Sequence, residues 1–499
     1  MNHLTRRAFL KNTAVVTAGA ALTARSWGQV TGANGDIRVA VVGVNSRGKN
    51  LLSEAAALPG VRIVAICDVD SAVLDAVAKG YPNAKKYVDF REMLQAPDID
   101  VVAIATPNHQ HALQAIWAMQ AGKDVFLEKP VAHDIWEGRQ IVAAEKKYNR
   151  IAQAGTQSRS APAIAEAIAW VRAGNLGKIT LARALCYKRR TSLGKTVGPQ
   201  PIPSSVNYDL WCGPAPLTPL RRARFHYDWH WQWATGNGDI ANQGNHQTDV
   251  ALRFLGETEL APRVFTVGGR LGYVDDGETP NTLISMLAYQ KAPLVIEVRG
   301  LGSKPDIYSD MAQGPGGSAG ANTSAAVMDK FKDLSVGNVI HCEGGYISVP
   351  ATDYSLAQAY DANGKLLKEF KGTTAHMANF IGAVRSRKSS DLNAPIRQGC
   401  VSGGLCHCSN ISYLTGRHLS PAEIRERLQG NAPMLETFGR LSDHLAANNI
   451  DLAKTPVTFG LPLTVDPISE RFVGADVATA NALLRRPEYR KPFVVPEIV

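Results

Sequence analysis

Val39-Ala40-Val41-Val42-Gly43-Val44-Asn45-Ser46-Arg47-Gly48 is a β-branched apolar run that breaks into a glycine turn, and the segments around it decide the fold class. Residues 37–42 read as a buried strand, 49–58 as a helix, 61–67 as a second strand, and 71–79 as a second helix stopped by Gly80. The alternation continues with strands at 101–105, 124–127 and 151–154 and helices at 111–121 and 136–148. Helices between short apolar strands imply parallel pairing with right-handed crossovers. The fold class is therefore α/β, opening with a Rossmann-type doubly wound parallel sheet.

The turn predicts what that sheet binds. Gly43 and Gly48 occupy the outer positions of a Gly-x-Gly-x-x-Gly pattern, while Asn45 stands where the second glycine lets backbone approach a pyrophosphate. Asparagine tolerates unusual φ better than most residues, so Gly43, Asn45, Ser46, Arg47 and Gly48 are the candidate cradle, with the following helix amides facing the phosphates. Asp68, at the end of the second strand, is placed to accept the adenosine ribose hydroxyls and to repel a 2′-phosphate, which favours NAD over NADP.

Ligands bind at the carboxyl ends of such strands, where the third carries Thr106-Pro107-Asn108-His109-Gln110-His111 and the fourth Glu128-Lys129-Pro130. Thr106, Pro107, Asn108, His111, Glu128 and Lys129 thus flank the expected nicotinamide half. A Lys129 ammonium beside an oxidised nicotinamide would have a depressed pKa and would hydrogen-bond the hydroxyl being oxidised.

Beyond Gln157 the grammar changes to a helix at 162–173, a strand at 179–187, then strands and long loops, which predicts a second, α+β domain on an open, largely antiparallel sheet. Residues 191–205 and the glycine-rich 300–323 read as irregular loops, and 375–386 and 398–415 as helices. If 238–249 is one helix, Asp239, Asn242, His246 and Asp249 share a face, and a polar stripe with a histidine suits proton transfer. Upstream, 225–233 is unusually aromatic; Trp231 and Trp233 are candidates for packing on sugar C–H faces, with Asp239 and Asp249 as hydroxyl acceptors. The expected domains are 1–33 (signal and linker), 34–157 (cofactor), 158–420 (substrate and oligomer contacts) and 421–499 (a C-terminal extension over the body or a neighbouring subunit).

Of the net charge of +10, Arg6, Arg7, Lys11 and Arg25 supply four in a segment with no acid; the remaining +6 shows no strong basic run, which argues against nucleic acid. Thr5-Arg6-Arg7-Ala8-Phe9-Leu10-Lys11 and the small apolar run 14–22, too short to span a bilayer, resemble a twin-arginine export signal cleaved between Ala24 and Gln29. Seven cysteines form no regular framework and read as mostly buried free thiols. Cys406, His407 and Cys408 point around a helix and cannot converge on a metal, so none is expected.

The 43–48 turn, Asp68, Thr106-Pro107-Asn108 with His111, Ala121-Gly122-Lys123, Glu128-Lys129-Pro130 and the 244–249 segment together resemble the glucose–fructose oxidoreductase, inositol dehydrogenase and rhizopine-catabolism (Gfo/Idh/MocA) family. The likeness covers about residues 36–420, and 376–385 and 406–417 look like its exported bacterial branch. It implies a sugar, cyclitol or polyol substrate, a homo-oligomer, and a catalytic set at Lys129, Asn242 and His246. Asn242 replaces the family's aspartate: an amide can orient His246 but cannot stabilise an imidazolium by charge. The expected activity is hydride transfer between tightly bound NAD and a sugar, polyol or glycoside. The alternatives are redox-neutral glycoside hydrolysis, by oxidation, elimination and re-reduction, and noncatalytic carbohydrate binding.

Overall fold

The computed structural model describes residues 35–305, 327–351 and 354–498. The twin-arginine segment and residues 306–323 of the glycine-rich loop lie outside the described residues. In the first domain β1 (Ile37–Val42), β2 (Val61–Cys67), β3 (Lys85–Tyr87), β4 (Val101–Ile104), β5 (Asp124–Leu127) and β6 (Ala152–Ala154) form an all-parallel sheet. Its order is β3-β2-β1-β4-β5-β6. The strand order reverses between β1 and β4, so a crevice opens at their carboxyl ends.

Alternation along β1 sends Val39 and Val41 to Leu51 and Leu52 of helix α1 (Arg47–Ala56), and Ala40 and Val42 to the opposite core. Burying each leucine contributes roughly 1.5–3 kcal/mol. The other face packs on α4 (His111–Gln120) and α5 (Ile135–Tyr148), whereas α2 (Ser71–Ala78) and the short α3 (Phe90–Leu94) lie near the β3 edge. β3 and α3 escape the sequence pattern because Lys85 and Lys86 are exposed on an edge strand of three residues.

After α6 (Pro162–Arg172), β7 (Ile179–Tyr187), helices α7 (Gly238–Asn242) and α8 (Gly244–Leu255) precede a run of strands: β8 (Arg263–Gly269), β9 (Thr282–Leu287), β10 (Leu294–Arg299), β11 (Val336–Cys342), β12 (Gly345–Pro350), β13 (Leu356–Asp361) and β14 (Leu366–Lys371). With β15 (Arg417–Leu419) and β16 (Val457–Phe459) they form an open sheet, ordered β14-β13-β12-β11-β7-β10-β9-β8-β16-β15, in which β7 and β10 run parallel and the other pairs antiparallel. One face of β7, through Ala182, Ala184 and Cys186, packs with Val250 and Ala251 of α8.

Two long-range features sit outside the expected boundaries. Helix α9 (His376–Ser386) returns to the first domain, where Met377, Phe380 and Ile381 join its core; α10 (Ile396–Leu414) carries Val401, Leu405 and Cys406 into the core of the second. Residues 421–498 are integral to both domains. Helix α11 (Ala432–Ala447) lays Met434, Phe438, Leu441 and Leu445 over Leu181, Ile284 and Val295 on the outer sheet face. Strand β17 (Leu463–Asp466) pairs with β8, and Tyr489, Phe493 and Val495 are buried against the parallel-sheet domain. All seven cysteines are free thiols, six of them buried. Among the described residues no helix is long and apolar enough to cross a membrane.

Candidate active site

A cavity of about 570 Å³ runs along the carboxyl ends of β1, β2, β4 and β5 and is closed by the second domain. Gly43 lies at its floor with φ +78°, and a Cβ there would stand 2.8 Å from the backbone of Ala105 and Thr106. A Cβ on Gly48 would meet the Gly43 carbonyl oxygen at 2.0 Å, so both glycines are sterically required. Gly48 lies within the first turn of α1, whose N-cap, Ser46, makes no side-chain cap bond. Lys49 N donates to Ser46 O at 3.0 Å, so the amides of Arg47 and Gly48 are the ones left for an anion beside Asn45, Ser46 and Arg47, which line the cavity.

Asp68 lines the same cavity beyond β2. Its Oδ2 accepts from Val44 N at 2.8 Å and its Oδ1 from Asp70 N at 3.0 Å, which fixes the carboxylate at the strand end while each oxygen retains a lone pair for a ribose hydroxyl. Burial pushes its pKa up, although both backbone donors oppose the shift.

At the ends of β4 and β5, His111 holds two loops together, its ring nitrogens facing Pro130 O at 2.7 Å and Thr106 O at 2.8 Å. Thr106 Oγ1 donates to Gln114 Oε1, and Asn108 Nδ2 donates to Asn237 Oδ1 of the second domain at 2.6 Å, leaving Asn108 Oδ1 buried without a partner. Pro107 lines the cavity between them. Glu128 is engaged by protein: Arg47 Nε donates to its Oε1 at 2.7 Å and Gln157 Nε2 at 3.0 Å. Its contribution is to anchor Arg47, which also pairs with Glu54, beside the glycine turn.

Lys129 crosses the domain boundary. Its Nζ donates to the backbone oxygen of Asn242 at 2.7 Å and to Asn242 Oδ1 at 3.3 Å, and burial lowers its pKa to about 8. His246 lines the cavity with Lys129, and its buried Nδ1 has no partner. Burial, reinforced by Lys129 and Arg47, holds its imidazole neutral, well below the ordinary histidine range. Asn242 does not orient this ring; it positions the lysine.

The expected polar stripe is interrupted. Residues 238–249 form two helices broken at Gln243, and both acids are consumed by arginines. Asp239 pairs with Arg190 at 2.6 Å; burial would raise its pKa, but Arg190 outweighs that and holds it below the ordinary value. Asp249 pairs with Arg159 at 2.8 Å. Neither acid lines the cavity, so both are corrected from substrate contacts to supports. Trp231 and Trp233 do not line the cavity either; Trp231 is buried under Arg190 at 5.1 Å, and the Trp233 backbone is held by Glu278 and His133. A 3-10 turn, Asp228–Trp231, instead brings Tyr227, Trp229 and His230 to the cavity. His230 stacks on Trp229 with ring centroids 3.6 Å apart, and burial lowers its pKa to about 3. Tyr354 and Thr374 also line the cavity and gave no sequence signal, being single polar residues in loops; the Tyr354 ring lies 6.0 Å from that of His246.

The glycine cradle, the free helix amides, Asp68 and the unpartnered Asn108 oxygen together fit a dinucleotide laid from Asp68 to Lys129. Fold and site therefore define a Rossmann-type dinucleotide-binding protein with a second, substrate-facing domain. Residues 37–156 match the oxidoreductase family's NAD-binding Rossmann fold and residues 170–278 its C-terminal alpha/beta domain. Both stretches thus match the Gfo/Idh/MocA oxidoreductase family. It is 29% identical to a levoglucosan dehydrogenase of Pseudarthrobacter phenanthrenivorans over 45% of this chain and 53% of that protein. It is 31% identical to a glycosyl hydrolase family 109 protein of Saccharopolyspora erythraea over 30% of this chain and 38% of that one. The chain thus spans about half, or less, of the length of these curated relatives. A solved levoglucosan dehydrogenase, in complex with NADH and levoglucosan, shares the fold with a TM-score of 0.52 at 19% identity, covering 74% of this chain and 95% of its own.

Proposed function

We propose that this protein removes hydride from a carbinol of a sugar, polyol or glycoside while NAD is held in the cleft between its domains. The observation carrying this reading is that Lys129, from the end of β5, and His246, from α8, line the same cavity as Gly43 and Asp68. NAD, when bound, supplies the hydride-accepting ring. The chain's residues do the rest. With its pKa lowered to about 8, Lys129 has a free-base fraction near neutral pH that accepts the hydroxyl proton, while Asn242 fixes its Nζ. Neutral His246 orients the hydroxyl from the second domain, and Tyr227, Trp229 and His230 form a wall suited to a sugar ring.

The family 109 relative favours a second reading, redox-neutral glycoside cleavage. Oxidation at C3 would acidify the C2 proton, the aglycone would leave by elimination, and water addition with hydride return would restore the cofactor. Levoglucosan, free sugars and aryl glycosides, each followed for reduced nicotinamide and for released aglycone, separate the readings. Cofactor reduction without aglycone supports the first, and aglycone release without net reduction supports the second. Neither signal with any sugar that binds would leave a noncatalytic carbohydrate-binding protein and sink both. The reading includes export: a protein moved folded by Arg6 and Arg7 would carry its cofactor with it and recycle it in place.

A further inference from the structure

The cavity does not end at Asp68. Past the ribose position it continues between Val88, Phe90 and Arg91 on the β3 side and Leu113 and Trp117 of α4, and its far wall is Phe493, from the last residues of the chain. A dinucleotide whose adenosine ribose sits at Asp68 and whose nicotinamide lies by Lys129 must place its adenine here.

The segment that brings Phe493 into place is docked along its length. Trp136 N donates to Leu484 O, Arg486 N to Asp134 Oδ2 at 2.9 Å, Tyr489 OH to Glu137 Oε1 at 3.1 Å, and Ile498 N to Gln140 Oε1 at 2.7 Å, all onto α5 or its N-cap. Arg485 lies 3.7 Å from the centre of the Trp136 ring, and Arg490 pairs with Asp209 and donates to Gly213 O. Phe493 is 4% exposed and is flanked by two guanidinium groups, Arg490 at 4.7 Å and Arg91 at 5.2 Å from its ring centre. A ring held this way lines the cavity with a fixed apolar edge, a rigid end wall for a purine.

We infer that residues 484–498 are a strap completing the adenine pocket, with Phe493 as an adenine-contacting residue, so that the cofactor leaves when the strap lifts. This rests on NAD occupying the cleft and adds the device that retains it. It makes the cofactor resident, a property that the parallel sheet alone would not confer.

The experiment uses full-length protein stripped of cofactor and measures AMP, nicotinamide mononucleotide and NAD binding to native, Phe493→Ala and Phe493→Leu, with NAD dissociation followed after rapid dilution. Phe493→Ala should weaken AMP and speed NAD release by a few fold, because it removes a wall of the adenine end and loosens the segment that carries it. Nicotinamide mononucleotide, which lacks the adenosine half, should bind as before. Phe493→Leu keeps apolar volume and should fall between, and it decides the matter if the alanine variant does not fold. AMP affinity unchanged in the variant that folds, or equal losses for AMP and nicotinamide mononucleotide, would overturn the inference. Failure of native protein to bind NAD would instead remove the cofactor reading beneath it.

Discussion

Replacing Asp68 with alanine should weaken NAD while sparing NADP, and the structure sets the size of the effect. The carboxylate is clamped by Val44 N–H and Asp70 N–H and retains lone pairs for two ribose hydroxyls. Hydrogen bonds to a charged acceptor contribute roughly 1.5–3 kcal/mol each, and burial that raises the pKa of Asp68 puts the pair toward the lower end. A loss of about 3 kcal/mol, roughly 150-fold in Kd, is expected for NAD. For NADP the balance runs the other way. A 2′-phosphate about 5 Å from the carboxylate meets a repulsion of roughly 3 kcal/mol per unit charge at an effective dielectric of about 20. The substitution removes that repulsion and frees two backbone donors that can face phosphate oxygens. Arg91, the neighbouring cation on the cavity wall, is paired with Asp89 at 2.6 Å, so its charge is offset in the native protein. Calorimetry of cofactor-stripped protein at fixed salt reads both affinities. Equal affinity of native protein for the two cofactors, or equal losses in Asp68→Ala, would refute the reasoning.

Three other outcomes follow from particular contacts. Asn242→Asp puts a carboxylate where an amide oxygen now accepts from Lys129, which favours the ammonium and should move the ascending limb of the kcat/KM pH profile above its native position near 8; an unmoved limb would contradict the contact. Glu137, which accepts from Tyr489, is held well above the ordinary carboxyl range by burial and by Asp134 beside it. A carboxyl whose folded pKa is raised contributes stability that is full below its unfolded pKa and is lost as pH rises through the folded one, so Tm should fall with rising pH more steeply in native protein than in Glu137→Gln, and parallel curves would count against it. Changing Arg6 and Arg7 to lysine should leave folded protein in the cytoplasm, whereas unchanged delivery would argue against twin-arginine export.

The first domain was legible because its strands are short apolar runs punctuated by glycines that the backbone requires, as at Gly43 and Gly122. What the sequence hid were contacts without a local pattern. Whether an acid faces substrate or an arginine depends on Arg190 and Arg159, far off in the chain, which take up Asp239 and Asp249. Rings in the aromatic segment divide by their position around one 3-10 turn, which buries Trp231 and leaves Tyr227, Trp229 and His230 at the cavity. Phe493 reaches the cofactor site only because residues 484–498 dock on α5.

The central claim is that Lys129 and His246, contributed by different domains, act on one substrate hydroxyl beside the cofactor. The direct measurement is the rate at which a single loaded turnover reduces bound NAD in native protein, Lys129→Ala and His246→Ala, with cofactor occupancy measured on the same samples. The account predicts a loss of roughly a hundredfold or more in each variant, the contribution of a positioned acid or base group, with NAD still bound. Native rates in both alanine variants at full occupancy would contradict it.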